Sequence, residues 1–263
     1  MLVHGHEHEM TRASSSADSD TASHMSITYG RVLLKISGEA FCAPAGFGID
    51  GEELTLIARE IHAAARPSVQ LAVVVGGGNF IRGKQLAADG VIPQEVADQM
   101  GMLGTVINGL ALKEALERLG QPARVLSAIN VSSVAETFIQ GRALRHLEKG
   151  RVVVFVAGTG NPFCTTDSAA SLRAAQIRAD VVLKATKVDG IYDKDPHEHH
   201  DAVRFEKITF SDAIAKNLKV MDISAFDMCR QRRIPIVVFN MKHPGHIAAV
   251  VGGESYGTKV TVE

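Results

Sequence analysis

The sequence predicts an α/β fold, in which a mostly parallel central sheet is sandwiched by helices. From Arg31 onwards, short apolar runs rich in β-branched residues alternate with segments whose apolar residues recur at helical spacing. Most of these runs are apolar throughout, as expected for parallel strands that are buried on both faces. Loops rich in glycine and threonine follow several of the runs, which is where open parallel sheets bind their ligands.

The predicted elements follow one another in a regular order. Six strands are predicted, at residues 32–36, 70–75, 124–127, 151–156, 181–183 and 235–239. Six helices are predicted, at residues 52–65, 101–119, 141–149, 168–178, 211–217 and 224–232. Gly120 and Gly150 stand where helix C-caps are expected, and the run from Ser133 to Glu136 has the spacing of a capping box.

Composition and charge limit the class of protein. The chain has 263 residues, of which 46% are hydrophobic and 22% are charged, so a folded domain is expected. We predict a single domain over residues 27–263, preceded at residues 1–26 by a flexible tail or an expression extension rich in Ser, Asp, Thr and His. A formal net charge of −1 favours a small-molecule partner over a nucleic acid or a membrane surface.

The location of the protein is predicted from what the sequence lacks. No apolar run approaches the roughly 18 residues of a membrane span, and no secretory signal is recognisable at the N-terminus. The three cysteines are far apart and form neither a disulfide framework nor a zinc motif. We therefore expect a cytoplasmic protein in a reducing environment.

The end of the first predicted strand and the segment after the second offer groups that could bind phosphate. Lys35 lies in the apolar run Val-Leu-Leu-Lys-Ile, where an ammonium group needs a partner such as a phosphate to offset its desolvation. A lysine that reaches solvent at a sheet edge is the alternative. Gly76, Gly77 and Gly78 could turn their backbone N–H groups toward phosphate oxygens. A strand-ending turn that needs positive φ also explains them.

Residues 158–167 (GTGNPFCTTD) concentrate small hydrogen-bond donors and acceptors in one segment, which indicates a ligand-binding loop. Asp167 directly precedes a helical pattern, so it could be a catalytic carboxylate or the N-cap of that helix, and the two roles can coexist. Cys164 has no histidine near it in the sequence, and we interpret it as a small loop residue rather than a nucleophile.

Four further side chains are candidates for nucleotide contacts. Tyr192 and Asp195 follow a buried strand, where an adenine could rest and its amino group be accepted, although a solvated β-hairpin or turn is the alternative. Asp98 could accept both ribose hydroxyls or cap the helix predicted after it. Asp222 could orient a charged site or cap the next helix. Local sequence does not choose between these roles.

Seven segments, taken together and in order, resemble the motifs of the UMP kinase family of bacteria and archaea over residues 29–262. They are VLLKISGEA (32–40), GFGID (46–50), VVVGGGNFIRG (73–83), DQMGMLGTVING (98–109), AGTGNPFCTTDSAA (157–170), DVVLKATKVDG (180–190) and VFNM (238–241). The resemblance implies an amino-acid-kinase fold, with the phosphates of ATP over the carboxyl edge of the sheet. It also implies an enzyme that transfers a phosphoryl group from ATP to UMP, giving ADP and UDP.

The same resemblance implies roles for individual residues. The catalytic roles fall on Lys35, Arg82, Asp167 and Asp222. The contacts to ATP fall on Lys35, Ile36, Ser37, Gly38, Gly78, Arg82, Thr186, Tyr192 and Asp195. The contacts to UMP fall on Gly77, Asp98, Thr159, Gly160, Asn161, Pro162, Phe163, Cys164, Thr165 and Thr166. A loop linked to GTP corresponds to Ala43, Pro44, Ala45, Gly46, Phe47 and Gly48, and its Ala-Pro-Ala start departs from the family in having few polar groups.

The implied chemistry is phosphoryl transfer stabilised by charge. Lys35 and Arg82 would stabilise the transferring group, with Mg²⁺ carried by ATP and with Asp167 and Asp222 orienting the lysine and the metal waters. No general base is needed, because the acceptor phosphate has a second pKa of about 6 and is mostly ionised at neutral pH. Members of the family are homohexamers that GTP activates and UTP inhibits, so the same is expected here.

Two other interpretations keep nucleotide binding but change the function. One is a carboxylate or carbamate kinase of the same fold, which the TGNPF segment and Asp98 argue against. The other is a nucleotide-binding storage protein without catalysis, which the presence of all four candidate catalytic residues argues against.

Overall fold

The computed structural model describes residues 1, 29–44, 46–81, 88, 90–196, 198–218 and 221–262. The strands are β1 (Arg31–Ile36), β2 (Gln70–Val75), β3 (Ala123–Ser127), β4 (Glu136–Thr137), β5 (Val152–Val156), β6 (Val181–Thr186), β7 (Lys207–Thr209), β8 (Ile236–Asn240) and β9 (Thr258–Thr261). The helices are α1 (Gly51–Ala64), α2 (Gln94–Arg118), α3 (Gln140–Glu148), α4 (Thr166–Ile177), α5 (Phe210–Ala215), α6 (Ile223–Gln231) and α7 (His246–Val251). A short 3-10 helix, Gly38–Phe41, follows β1.

The nine strands form one sheet in the order β4-β3-β5-β2-β1-β6-β8-β9-β7. All neighbouring strands are parallel except β8 and β9, which are antiparallel. Residues alternate between the two faces, so that Leu34 and Ile36 belong to one core and Leu33 to the other. Helices α1, α2 and α7 cover the first core, and α3, α4, α5 and α6 cover the second. The predicted fold class is confirmed.

Helix ends follow local sequence where a cap is present. The side chain of Asp50 accepts hydrogen bonds from the backbone N–H groups of Glu52 and Glu53 and starts α1. Gly120 and Gly150 directly follow the C-caps of α2 and α3 with φ of 79° and 68°, so the prediction that glycines end these helices is confirmed.

The capping box predicted at Ser133 is wrong. Glu136 lies in strand β4 rather than in a helix, and α3 begins only at Gln140, after Ile139. A strand of two residues is too short to show alternation, so the polar spacing was the only signal available there.

Helix α2 begins seven residues before its predicted start. Its N-cap is Pro93, and among residues 94–100 only Ala97 is buried, so the first two turns have little apolar periodicity. Asp98 therefore lies within the helix, and the interpretation of Asp98 as its cap is wrong. Among the described residues, no helix is both long enough and apolar enough to cross a membrane. Of the predicted tail at 1–26, all but Met1 lies outside the described residues.

Candidate active site

Two lysines face each other at the centre of the sheet. Strands β1 and β6 are parallel neighbours, and their register places Lys35 directly opposite Lys184. Lys35 is only 9% exposed, so it does not reach solvent at a sheet edge, and that alternative is wrong. Like charges directly opposite each other destabilise a sheet. The two ammonium groups therefore need a common anion.

Asp167 supplies a carboxylate to both lysines. It lies in the first turn of α4, with Oδ1 3.1 Å from Lys35 Nζ and Oδ2 2.8 Å from Lys184 Nζ. Burial raises the pKa of Asp167, but the charges of Lys35 and Lys184 outweigh burial, and the pKa is lowered overall. Burial lowers the pKa of Lys184, while Asp167 opposes that change. The lysines bring two positive charges against the single negative charge of Asp167, which suits a site for phosphate oxygens.

The helix-capping interpretations of Asp167 and Asp222 are both wrong. The N-cap of α4 is Thr165, whose hydroxyl oxygen accepts hydrogen bonds from the N–H groups of Asp167 and Ser168. Asp222 does occupy the N-cap position of α6, but its side chain makes no capping hydrogen bond. Its Oδ2 instead accepts a hydrogen bond from the hydroxyl of Thr165. Thr165 thus connects the start of α4 to the start of α6.

Two glycine-containing loops pack backbone against backbone beside the lysines. A Cβ atom on Gly76 would lie 2.6 Å from the backbone N of Gly38, and one on Gly77 would lie 2.5 Å from the carbonyl O of Gly101. None of Gly76, Gly77 and Gly78 has positive φ, so the turn explanation for them is wrong. They are glycines because neighbouring backbone leaves no room for a side chain, except at Gly78, which borders open space.

A pair of buried asparagines fixes the loop after β2. Asn79 and Asn108 exchange side-chain hydrogen bonds of 3.0 and 2.7 Å, and Asn108 also donates to the carbonyl O of Gly76. Asn79 bonds in both directions with Gly48, donating from its side chain and accepting at its carbonyl. Phe47 packs edge-on against Phe80 with ring centroids 5.8 Å apart. The loop that ends at Gly48 is therefore anchored on the loop after β2.

Asp98 reaches from α2 to the segment after β5. Its Oδ2 accepts a 2.8 Å hydrogen bond from the backbone N–H of Phe163, and its Oδ1 accepts one from Gln94. Phe163 has φ of 64° and is 72% exposed, which is an uncommon conformation for a bulky residue. The segment at 158–166 is thus held at its centre by Asp98 and at its end by Thr165. Cys164 is exposed in it and forms no disulfide.

A cavity of about 680 Å³ lies on the other side of Lys184. Three of the residues that the resemblance assigns to ATP, Thr186, Tyr192 and Asp195, line it. Tyr192 is held by a β-bridge to Arg204. Val188, Lys216, Asn217, Leu218 and Val238 also line the cavity, and local sequence assigns none of them a nucleotide contact.

The structure gathers most of the sequence-derived candidates around one crevice. Lys35, Asp167 and Asp222 meet at the carboxyl ends of β1 and β6, and Ile36, Ser37 and Gly38 continue from β1. Arg82 and Ala45 lie outside the described residues. Lys184 was missed, although a lysine in the apolar run Val-Val-Leu-Lys carries the same signal as Lys35.

Comparisons with known proteins agree with this geometry. Residues 30–240 match the amino acid kinase family. Uridylate kinases of Xanthomonas oryzae pv. oryzae and Xanthomonas campestris pv. campestris are each 50% identical over 234 residues, covering 89% of this chain and 97% of theirs. The solved UMP kinase of Bacillus anthracis has a TM-score of 0.86 at 36% identity, over 89% of this chain and 96% of that one. The UMP kinase of Ureaplasma parvum has a TM-score of 0.82 at 37% identity, over 88% and 98%. The chain therefore belongs to the amino acid kinase family, and within that family to the uridylate kinases.

Proposed function

We propose that this protein transfers the γ-phosphoryl group of ATP to UMP, giving ADP and UDP. The observation that carries the proposal is the cluster of Lys35, Asp167 and Lys184, which lies between a nucleoside-sized cavity and the segment at 158–166. Donor and acceptor can then meet over a pair of ammonium groups. The uridylate kinases that share half of its residues support UMP as the acceptor.

The donor side begins at the cavity lined by Thr186, Tyr192 and Asp195. Adenosine bound there would direct its phosphates past Lys184 toward Lys35 and the loops after β1 and β2. Backbone N–H groups from Ser37, Gly38 and Gly78 would meet phosphate oxygens, since these loops lie at the carboxyl edge of the sheet. Arg82 is assigned to the same phosphates by resemblance.

The acceptor side is the segment at 158–166 with Gly77 and Asp98. The carboxylate of Asp98 already holds the N–H of Phe163, so it can contact a ribose and keep the acceptor segment in place at once. Threonine hydroxyls and backbone groups at 159–166 would receive the uracil and the phosphate of UMP.

The reaction depends on charge and alignment. The attacking oxygen belongs to a phosphate that is mostly ionised at neutral pH, so no protein base needs to remove a proton. Lys35 and Lys184 would stabilise the charge on the transferring phosphoryl group, and Asp167 would fix the positions of both ammonium groups. We add Lys184 to the catalytic residues implied by the resemblance, because it shares the carboxylate of Asp167 with Lys35.

A divalent cation that is bound to the phosphates of ATP would fit this site. The described residues contain no group of three or more metal-binding side chains, and Mg²⁺ is commonly held by one or two carboxylates together with phosphates and water. Asp222, with Asp167 beside it, would hold the waters of such an ion. The ion would supply additional positive charge along the phosphates.

Regulation, assembly and location complete the proposal. Activation by GTP is supported by the contact between Gly48 and Asn79, which joins the GTP-linked loop to the loop after β2, whereas inhibition by UTP rests on the resemblance alone. A homohexamer is supported by two exposed apolar side chains one turn apart on α2, Leu103 and Ile107, which another subunit could cover. A cytoplasmic location in pyrimidine nucleotide synthesis is supported by the free cysteines and by the activity itself.

The decisive test measures ADP release from Mg·ATP with one acceptor at a time. UMP, CMP, dUMP, aspartate, N-acetylglutamate and carbamate are offered separately, and Lys35→Ala sets the background. We expect fast turnover with UMP and little with the carboxylates or carbamate. Turnover with a carboxylate or carbamate but not with UMP would show that the acceptor is wrong. Nucleotide binding without any turnover would instead indicate a storage protein.

A further inference from the structure

Arg173 is a buried cation that has no acidic partner among the described residues. It lies on α4, two turns after Asp167, and is only 4% exposed. Its guanidinium donates a 2.6 Å hydrogen bond to the side chain of Gln176 and a 3.3 Å hydrogen bond to the carbonyl O of Gly158. It also lies 3.9 Å above the ring of Phe138. Throughout the part of the chain that the structure describes, no carboxylate forms an ion pair with it.

A guanidinium in this environment keeps its charge but loses its hydration. Burial lowers the pKa of Arg173 to about 10, which still leaves it protonated at neutral pH. Burying a charge without a counter-ion is unfavourable unless hydrogen bonds or an aromatic face replace the water. Purely structural packing would be achieved more easily by an apolar side chain of the same volume. The buried charge of Arg173 and its hydrogen bond to Gly158 therefore indicate a role beyond packing.

The group that Arg173 holds is the start of the acceptor segment. Ala157 and Gly158 are both left-handed, with φ of 60° and 58°, directly after β5. A left-handed alanine is unfavourable and persists only when its surroundings fix it. The N–H of Ala157 donates a 2.6 Å hydrogen bond to the hydroxyl of Thr105 on α2, while Arg173 holds Gly158 from α4. The left-handed turn is thus clamped from both faces of the sheet.

We propose that Arg173 is a positioning residue for the phosphate acceptor, which it serves by holding the left-handed turn at Ala157 and Gly158 that aims the segment at 159–166. The inference rests on the proposed function, because it concerns the acceptor side of the same reaction. Arg173 does not contact the reacting atoms in this arrangement. It acts through the carbonyl of Gly158, and its positive charge adds to the field beneath the acceptor.

The position of Arg173 on α4 predicts that its loss affects UMP more than ATP. Asp167 in the first turn of α4 serves the lysines at the donor phosphates, whereas Arg173 faces the acceptor segment, and its partners Gly158, Gln176 and Phe138 do not line the cavity that Tyr192 lines. Loss of Arg173 should therefore impair the use of UMP and leave the binding of ATP nearly unchanged. A general loss of packing would instead affect both substrates alike.

The experiment compares Arg173→Met and Arg173→Lys with the wild type and with Arg145→Met. Arg145 is an exposed arginine on the neighbouring helix α3, so it controls for the loss of one positive charge. For Arg173→Met we expect kcat/KM for UMP to fall by about 10- to 100-fold, as for a misplaced reactant, with KM for ATP changed by no more than about 2-fold. Arg173→Lys should recover part of the loss, since an ammonium can reach Gly158 but cannot make the forked contact.

Two results would overturn the inference. One is an unchanged kcat/KM for UMP in Arg173→Met, and the other is a KM for ATP that rises as much as the KM for UMP, together with a lower melting temperature. If Arg173→Met does not fold, Phe138→Leu removes the ring beneath the guanidinium and should reduce kcat/KM for UMP in the same selective way. If the wild type phosphorylates a different acceptor, the proposed function fails, and the same comparison with that acceptor still tests Arg173.

Discussion

Replacing Asp167 by asparagine tests how the two central lysines are held. The substitution keeps the shape of the side chain but removes the carboxylate that bridges Lys35 and Lys184 at 3.1 and 2.8 Å. The two ammonium groups, which are opposite each other across β1 and β6, then lose their shared counter-ion and repel each other more strongly, although the charge of Asp222 still stabilises the ammonium group of Lys184. The unliganded variant should therefore be less stable than the wild type.

The size of the effect follows from distance and burial. Two unit charges about 4 Å apart attract each other by about 4 kcal/mol at the effective dielectric constant of about 20 that describes protein sites. Removing one member of a buried pair typically costs about 3–5 kcal/mol. The side chains of Lys35 and Lys184 are 11% and 16% exposed and can still turn partly toward solvent, so we expect about 3 kcal/mol, the lower end of that range.

The assay is urea unfolding at neutral pH and a fixed protein concentration. Asp167→Asn, Lys184→Met and the double variant form a cycle, in which the double variant should lose at least about 1 kcal/mol less than the sum of the single variants. Asp212→Asn is the control, because Asp212 is also an aspartate in the first turn of a helix but is exposed. It should lose less than about 1 kcal/mol.

The lowered pKa of Asp167 also predicts how the stability difference between the wild type and Asp167→Asn changes with pH. The pKa of Asp167 in the folded protein is below its usual value of 3.8, so the stability from the ionised carboxylate is fully present above that value. It is lost as the pH falls through the lowered pKa, and the difference between wild type and Asp167→Asn should shrink there. A loss below about 1 kcal/mol at neutral pH, or single effects that add within about 0.5 kcal/mol, would refute the reasoning.

Four further predictions concern single residues. Lys35→Ala should lower kcat by about 10²- to 10³-fold with little change in KM for UMP, since its charge acts on the transferring group, and near-normal kcat in steady-state assays would remove this role. Asp98→Asn should raise KM for UMP about 10-fold and leave KM for ATP unchanged, because it weakens both a ribose contact and the hold on Phe163; an unaltered KM for UMP would limit Asp98 to structure. Tyr192→Ala should raise KM for ATP by about 10-fold through loss of an aromatic surface in the cavity, and an equal rise for UMP would contradict this assignment. Asn108→Leu should reduce the free energy of unfolding by about 2 kcal/mol by leaving the amide of Asn79 short of partners, as measured by urea titration, whereas unchanged stability would show that water replaces it.

The central strands were predictable because burial on both faces leaves a strong signal. Five of the six predicted strands match β1, β2, β3, β5 and β8 within one residue at each end, and the sixth marks the start of β6. The missed strands β4, β7 and β9 have two to four residues and lie at the edge of the sheet or beside it. Segments of that length carry too few residues for periodicity to show.

Contacts within the site were predictable only where a single strand carries the signal. Lys35 stands out because apolar residues surround it within a predicted strand, whereas Lys184 lies one residue beyond the strand predicted at 181–183. The role of Lys184 depends on the register between β1 and β6, which pairs residues 149 positions apart. Local sequence does not determine that register. Arg173 gave no sequence signal, since an arginine in a helix is normally at the surface.

The buried pair of asparagines also has a chemical consequence. Asn108 is followed by Gly109, and the sequence Asn-Gly is the one most prone to deamidation, in which the next backbone nitrogen attacks the side-chain carbonyl. Glycine is required there because a side chain would collide with Val156 on β5, so the vulnerable sequence cannot simply be exchanged. Helical geometry and the hydrogen bonds of Asn108 to Gly76 and Asn79 keep the two reacting atoms apart. We therefore expect deamidation at Asn108 to require local opening of this part of α2, so its rate should report how often that opening occurs.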